Sequence, residues 1–367
     1  MELKKLGEIF KITSGSTPSK KNREFYEGGS IPWIKTGDLK KKYLNDSAEY
    51  ITELALNNSS VKKFPKNTVL IAMYGATIGA TSILKIDATT NQACAAFLPN
   101  DLVIPEYLYY FFKANKKKII NLGVGGAQPN ISGTILKEIE FPLCSIETQN
   151  KIVEVLDKAQ DLIDKKIEQI DLLDELVKSR FIEMFGNPIS NPKSWKTSLL
   201  GEICELKAGK NIKASEIYEE QTEELYPCYG GNGLRGYVDR YSHNGNINLI
   251  GRQGALCGNI KYARGKFYAT EHAVVTQPKI DINSYWLHFV LTELDLNRLS
   301  SGAAQPGLTV GALNKVEIIQ PPIELQNEFA AFVEKVDSVR AAAEKSLQQL
   351  NDNFNSLMQK AFKGELF

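Results

Sequence analysis

The residue types that most often carry catalysis or hold metals are thinly spread in this chain. Five cysteines (Cys94, Cys144, Cys204, Cys228, Cys257) occur without a C-x-x-C pair, and three histidines (His243, His272, His288) accompany them. Neither a zinc site nor a disulfide framework is indicated. Glu271 and His272 are adjacent and invite an acid/base reading, but neighbours in a strand point to opposite faces, which argues against shared chemistry. There is no G-x-x-x-x-G-K-[ST] loop and no G-x-G-x-x-G following a strand, so an ATPase or dinucleotide-binding core is not expected. The run GVGGAQPN at 123–130 imitates a phosphate-cradling loop, yet Pro129 has no N–H to donate and no lysine follows; it reads as a turn joining helix to strand. Asn-Pro-Pro or Asp-Pro-Pro before an aromatic, with which amino-methyltransferases hold a flipped base, is also missing.

What the chain does offer is side chains suited to recognition. Residues 16–43 are rich in lysine with Phe25, Tyr26, Trp33 and Tyr43 interleaved, and residues 207–217 and 228–246 hold glycine turns presenting Asn232, Arg235 and Arg240. Lysine and arginine suit phosphates, while Arg, Asn and Gln can read base edges in the major groove. The candidate DNA contacts are Lys20, Lys21, Lys35, Thr36, Tyr74 and Gln128 in the first half of the chain, and Lys210, Asn211, Lys213, Asn232, Arg235, Arg252, Gln253 and Gln305 in the second. Arg252 and Gln253 replace Met73 and Tyr74 of an otherwise matching block, at a strand end beside a glycine that lets the backbone approach closely. The bland alternative is a buried Arg252 paired with Glu271. No catalytic residue and no metal ligand is assigned.

The elements that must position these side chains follow from an internal repeat. LGEI at 6–9 recurs at 200–203, LIAMYGATIGA at 70–80 matches LIGRQGALCGN at 249–259, and the block at 125–150 matches 302–327. The last match registers Gln128 on Gln305, Pro129 on Pro306, Glu147 on Glu324 and Gln149 on Gln326. The stretches between Gly15 and Gly75 and between Gly209 and Gly254 share almost nothing. Two similar frames therefore carry two different readers.

Each copy closes with a helix. Ile152, Leu156, Ala159, Ile163, Ile170, Leu173, Val177 and Met184 follow the four-three alternation of a heptad seam, interrupted by Lys166 and Arg180. Phe329, Val333, Val336, Ala343, Leu347, Leu350, Phe354, Leu357 and Ala361 repeat it, with Arg340 the one break. Neither helix can bury such a seam alone, and the twofold relation natural to a duplicated unit predicts an antiparallel coiled coil. The expected fold class is α+β: two similar mixed α/β recognition domains at 1–146 and 186–322, each followed by a long helix at 147–185 and 323–367. Short strands are expected at 68–73, 247–250 and 273–276, with one helix per copy at 105–118 and about 284–294.

The 367 residues suffice for two or three domains, and 43% hydrophobic against 24% charged residues excludes wholesale disorder. No apolar run is long enough to cross a membrane and no leader pattern opens the chain, so a soluble cytoplasmic protein is expected. The net charge of +1 conceals +6 over 1–146, −4 over 147–185, +1 over 186–322 and −2 over 323–367. Such a chain would hold DNA weakly without a partner adding phosphate contacts.

The opening GEIFKITSGSTPS, then IPWIKTGDL, YPCYGGNGLRGYVDRY, LIGRQGALCGNI, FYATEHAVV and PPIELQNEFA resemble the specificity subunit of type I restriction-modification systems over essentially the whole chain. The resemblance implies that each domain reads one half of a bipartite double-stranded DNA sequence. It implies a non-catalytic chain that holds DNA methyltransferase (modification) subunits and, through them, a restriction (helicase-nuclease) subunit. It also implies that no cofactor sits on this chain, since S-adenosylmethionine, ATP and magnesium belong to those partners. A fused methyltransferase or nuclease is opposed by length, because no catalytic-sized segment remains beside the two repeats. A coiled-coil adaptor binding protein or carbohydrate is the alternative.

Overall fold

The heptad spacing after residue 146 folds as one helix, Ile146–Phe185, and its repeat as a second, Ile323–Lys363. These belong to a computed structural model that describes residues 1–123, 130–254, 256–300 and 307–367. The chain divides into two compact units, Met1–Ile167 with Lys345–Phe367, and Glu168–Glu344. Each unit thus takes half of each long helix.

In the second unit the helices run antiparallel. Arg180 bonds Glu328 at 3.0 Å and Arg340 pairs with Asp174, so rising numbers on one helix meet falling numbers on the other. The seam differs in detail from the heptad reading: Phe181 and Phe185 are fully buried where Met184 is only half-buried. Their rings meet Phe329 at 5.4 and 5.6 Å between centroids, and aromatic bulk at four-residue spacing takes the helix face that the lighter Met184 would have held. In the first unit Ile152, Leu156 and Ile163 share a core with Phe354, Met358 and Ala361.

Both units build the same frame, the first with one added edge strand. In the first, a sheet runs in the order Ile12–Ser14, Cys94–Phe97, Val69–Ala72, Thr81–Leu84, Tyr43–Leu44. In the second it runs Cys204–Ala208, Ala273–Pro278, Ile247–Gly251, Ile260–Ala263. Beside it lies another sheet, ordered Tyr50–Ile51, Ile31–Ile34, Ala88–Thr90, Lys63–Phe64 in the first unit and Gly233–Val238, Tyr226–Gly230, Lys266–Ala269, His243–Asn244 in the second. Its central pair is parallel in both units. The stretches that share almost no sequence therefore share their strand order.

The helices Pro105–Asn121 and Ser284–Glu293 cover the first of these sheets. The Gln of each E-x-Q-N signature clasps the entry to that helix. Gln149, fully buried, donates to the carbonyls of Leu102 and Cys144 at 2.8 and 2.9 Å and accepts from the Ile104 N–H at 2.9 Å. Gln326 donates to the Pro321 carbonyl at 2.9 Å and accepts from the Asn283 N–H at 3.0 Å. A buried amide needs both kinds of partner, so this repeated residue serves the frame.

Candidate nucleic-acid interface

One tight turn organises each unit's variable rim. In the second unit it is Thr270, Glu271 and His272, between the strands Lys266–Ala269 and Ala273–Pro278. Three segments bond to it. The Thr270 N–H donates to the Tyr229 carbonyl at 2.9 Å, the Lys210 N–H to the Ala269 carbonyl at 2.9 Å, and the Arg252 N–H to the His272 carbonyl at 2.9 Å. The first unit repeats all three: Asn91 N–H to the Ile34 carbonyl at 3.0 Å, Ser16 N–H to the Thr90 carbonyl at 2.9 Å, and Met73 N–H to the Ala93 carbonyl at 2.8 Å. The paired glycines before Ser16 and Lys210 are required by this closeness. A Cβ on Gly15 would stand 2.0 Å from the Thr90 oxygen, and on Gly209 2.2 Å from the Ala269 oxygen.

In the second unit the turn opens onto a cavity of about 440 Å³ lined by Gly230, Gly231, Asn232, Gly233, Leu234, Arg235, Gln253, Gly254 and His272. Asn232, Arg235 and Gln253 of the sequence candidates thus share one concavity. Arg252 does not join them. It repeats the backbone bonds of Met73, which is buried in the first unit's core, and is itself half-buried while Gln253 is exposed. Adjacent residues of extended backbone face opposite sides, in keeping with Gln253 lining the cavity and Arg252 standing outside its lining. Nor does Arg252 pair with Glu271: among the described residues Glu271 pairs with His272, Oε1 to Nε2 at 3.1 Å. The expectation that Glu271 and His272 point apart is corrected for the same reason, since they sit in a turn and not in a strand. Among the described residues, Glu271 Oε2 and Thr270 Oγ1 are buried there without a hydrogen-bond partner.

Lys210, Asn211 and Lys213 are exposed, on the strand exit whose backbone is pinned to Ala269, and none of them lines the cavity. Arg240 is tied to Glu216 at 2.7 Å and to Asp239 at 3.1 Å and lies over the Tyr268 ring. These bonds engage its guanidinium at the surface of the unit.

In the first unit Lys35 and Thr36 follow Ile34 directly and Tyr74 follows Met73, so the repeated backbone bonds bring all three to the corresponding turn. Lys35 pairs with Glu49, and Glu49 also lines an open cavity of about 290 Å³ with Lys20, Arg23, Tyr26 and Glu27. Lys21 is exposed and outside that lining. Three of the interleaved aromatics are tied into the unit by hydrogen bonds. Trp33 is buried and donates Nε1–H to the Ser16 carbonyl at 3.2 Å, Tyr26 donates to the Pro18 carbonyl at 2.7 Å, and Tyr43 donates to Glu106 at 3.1 Å. Gln128 and Gln305 lie outside the described residues, as does most of 123–130; the chain on their far side is bridged to the same loops, Asn130 to Tyr74 and Gly307 to Gln253.

Nucleophilic chemistry finds no support in the thiols. Burial pushes Cys94 and Cys204 each up to about 12, so both are protonated at neutral pH. Among the described residues no cluster of three His, Cys, Asp or Glu side chains could hold a metal ion, and no helix is long and apolar enough to cross a membrane.

A duplicated frame that presents two unlike polar rims defines a recognition protein. The sequence model for the type I restriction modification DNA specificity domain matches residues 1–172 and 192–352. The chain is 34% identical to the type I restriction enzyme EcoprrI specificity subunit of Escherichia coli, over 91% of this chain and 87% of that protein. It is 29% identical to the MjaIX specificity subunit of Methanocaldococcus jannaschii, over 100% and 93%. The crystal structure of a type I restriction-modification S subunit from M. genitalium shares the fold at TM-score 0.61 and 19% identity, covering 98% of this chain and 96% of that one. The chain belongs to the family of type I restriction-modification specificity subunits, the non-catalytic DNA-recognition component of such systems.

Proposed function

We propose that this chain selects a two-part DNA sequence, one half through each unit's rim, and brings methyltransferase and helicase-nuclease subunits to it in the cytoplasm. The observation that carries this reading is the repeated turn: identical backbone bonds hold Lys35, Thr36 and Tyr74 in one unit and Asn232, Arg235 and Gln253 near their counterpart in the other. Equal frames with unlike side chains suit two independent half-sites. S-adenosylmethionine, ATP and magnesium are assigned to the partner subunits, in keeping with a chain whose motifs provide for none of them. Leu172 and Leu176, about half exposed and one turn apart on the first long helix, support docking of a partner subunit there, since apolar side chains on one helix face favour an interface.

The test is an exchange of residues 1–146 for the equivalent domain of a relative, followed by methylome sequencing of cells carrying the partner subunits. One half of the methylated sequence should change and the other stay. Alteration of both halves would refute independent reading.

A further inference from the structure

Among the described residues that line the second unit's cavity, one carries an aliphatic side chain. Leu234 is 54% exposed on the hairpin formed by Tyr226–Gly230 and Gly233–Val238, with Asn232 and Arg235 on the same hairpin and Gln253 also in the lining. The ladder slips between Cys228 and Tyr229, and Gly236 takes a φ of +150°. That irregularity leaves Leu234 and Arg235, although consecutive, both exposed at the cavity; bulges of this kind re-aim side chains. A two-stranded ribbon fits the major groove. There an A·T pair offers the adenine N7 acceptor and N6 donor, which a side-chain amide can bond bidentately, together with the thymine 5-methyl, which an apolar side chain can cover. Of the four base-pair orientations, only those containing thymine give a leucine beside amides something apolar to bury.

We infer that the second recognition unit reads an A·T pair in its half-site by packing Leu234 on the thymine 5-methyl group, with the amides of Asn232 and Gln253 available to the adenine. This deepens the reading of the chain as a DNA-specificity subunit and rests on it. Leu234 acts as a specificity determinant that makes no hydrogen bond, so its contribution is invisible to any count of polar contacts.

The experiment uses the full chain assembled with its modification subunits and duplex oligonucleotides carrying the sequence that the complex methylates in cells. In the half-site that follows residues 186–322 on domain exchange, each thymine is replaced singly by deoxyuridine, which removes the methyl and leaves the pairing intact. At one position the replacement should weaken binding about fourfold, the effect of one buried methyl group. Leu234→Ala should weaken the thymine duplex by at least that factor and bind the thymine and uracil duplexes equally, with unchanged melting. The inference is overturned if the half-site has no thymine on either strand, if no position distinguishes thymine from uracil, or if Leu234→Ala still distinguishes them. Arg235→Ala and Gln253→Ala separate the two levels: if both leave sequence preference untouched, the cavity does not read DNA and the underlying reading of this unit fails, whereas loss of preference in them with an unresponsive Leu234→Ala refutes the methyl contact alone.

Discussion

Arg252→Met and Gln253→Ala should have opposite consequences although the residues are neighbours. Arg252 makes the backbone bonds of Met73, its N–H to the carbonyl of His272 and its carbonyl to the N–H of Leu308 at 2.9 Å, against Ala93 and Ile131 for Met73. Methionine there copies the first unit's solution, and a change in stability within about 1 kcal/mol is expected. Gln253 is exposed and its side chain lines the open cavity, so its truncation should alter stability by no more than about 0.5 kcal/mol. Its effect belongs to binding: loss of a bidentate base contact costs about 1–3 kcal/mol, or about 5- to 150-fold in specific affinity. Affinity for random duplex, set by phosphate contacts, should not move. Competition of target against random duplex at fixed salt, with thermal melts alongside, reads both quantities on the assembled complex. If Arg252→Met relaxes the second half-site while Gln253→Ala leaves it sharp, the division into frame and reader is wrong.

Two further predictions concern the frame. Phe329 is fully buried and its ring faces Phe181, Phe185 and Phe289 at 5.4, 5.6 and 5.1 Å between centroids; Phe329→Ala should cost about 3–5 kcal/mol of the second unit's stability, and a loss below 1 kcal/mol in denaturant titration would show that the seam is not packed as described. Burial, and secondarily the Lys261 charge, push the His288 imidazole down to about 4, and its Nδ1 lies 3.2 Å from Asn248 Oδ1. Since Asn248 Nδ2 donates to the Ser284 carbonyl, Nδ1–H is the donor to Oδ1. A folded pKa below the unfolded value near 6.5 means that the unfolded chain takes the proton first. The stability is therefore complete above pH 6.5 and is lost as pH falls toward 4, by up to about 2 kcal/mol between pH 7 and pH 5. His288→Gln should remove that part of the slope, and an unchanged slope would contradict it.

The duplication and the two long helices were readable from residue spacing because each is a property of one segment or of two segments compared, while the family was legible only as a resemblance of whole motifs such as IPWIKTGDL and LIGRQGALCGNI. A heptad seam of nine apolar positions declares a partner helix, and matching blocks in the same order declare a repeated frame. The roles of individual reader residues were not readable in the same way. Lysines and aromatics interleaved at 16–43 suggested one binding surface, but Trp33 is buried and bonds the Ser16 carbonyl, whereas Tyr26 bonds the Pro18 carbonyl and still lines the open cavity with Lys20, and Lys35 stands at the turn in a partly exposed ion pair with Glu49. The signal that could have separated them was the alternation in Ile31–Ile34, where Trp33 lies on the same face as the buried Ile31.

By itself the sequence determined that two copies of one frame exist, that each ends in a helix with an unsatisfied apolar seam, and that no segment carries an ATPase or methyltransferase motif, because these depend on local pattern. Only the tertiary structure decided which side chains share a rim. Arg252 and Gln253 are adjacent in the chain yet part at the strand end, whereas Asn232, Arg235, Gln253 and His272 are scattered over forty positions and meet at one turn. The strand order of the variable stretches was likewise hidden, since pairing between distant strands is set by backbone bonds and by which faces can be buried together, and unlike sequences satisfy the same backbone geometry.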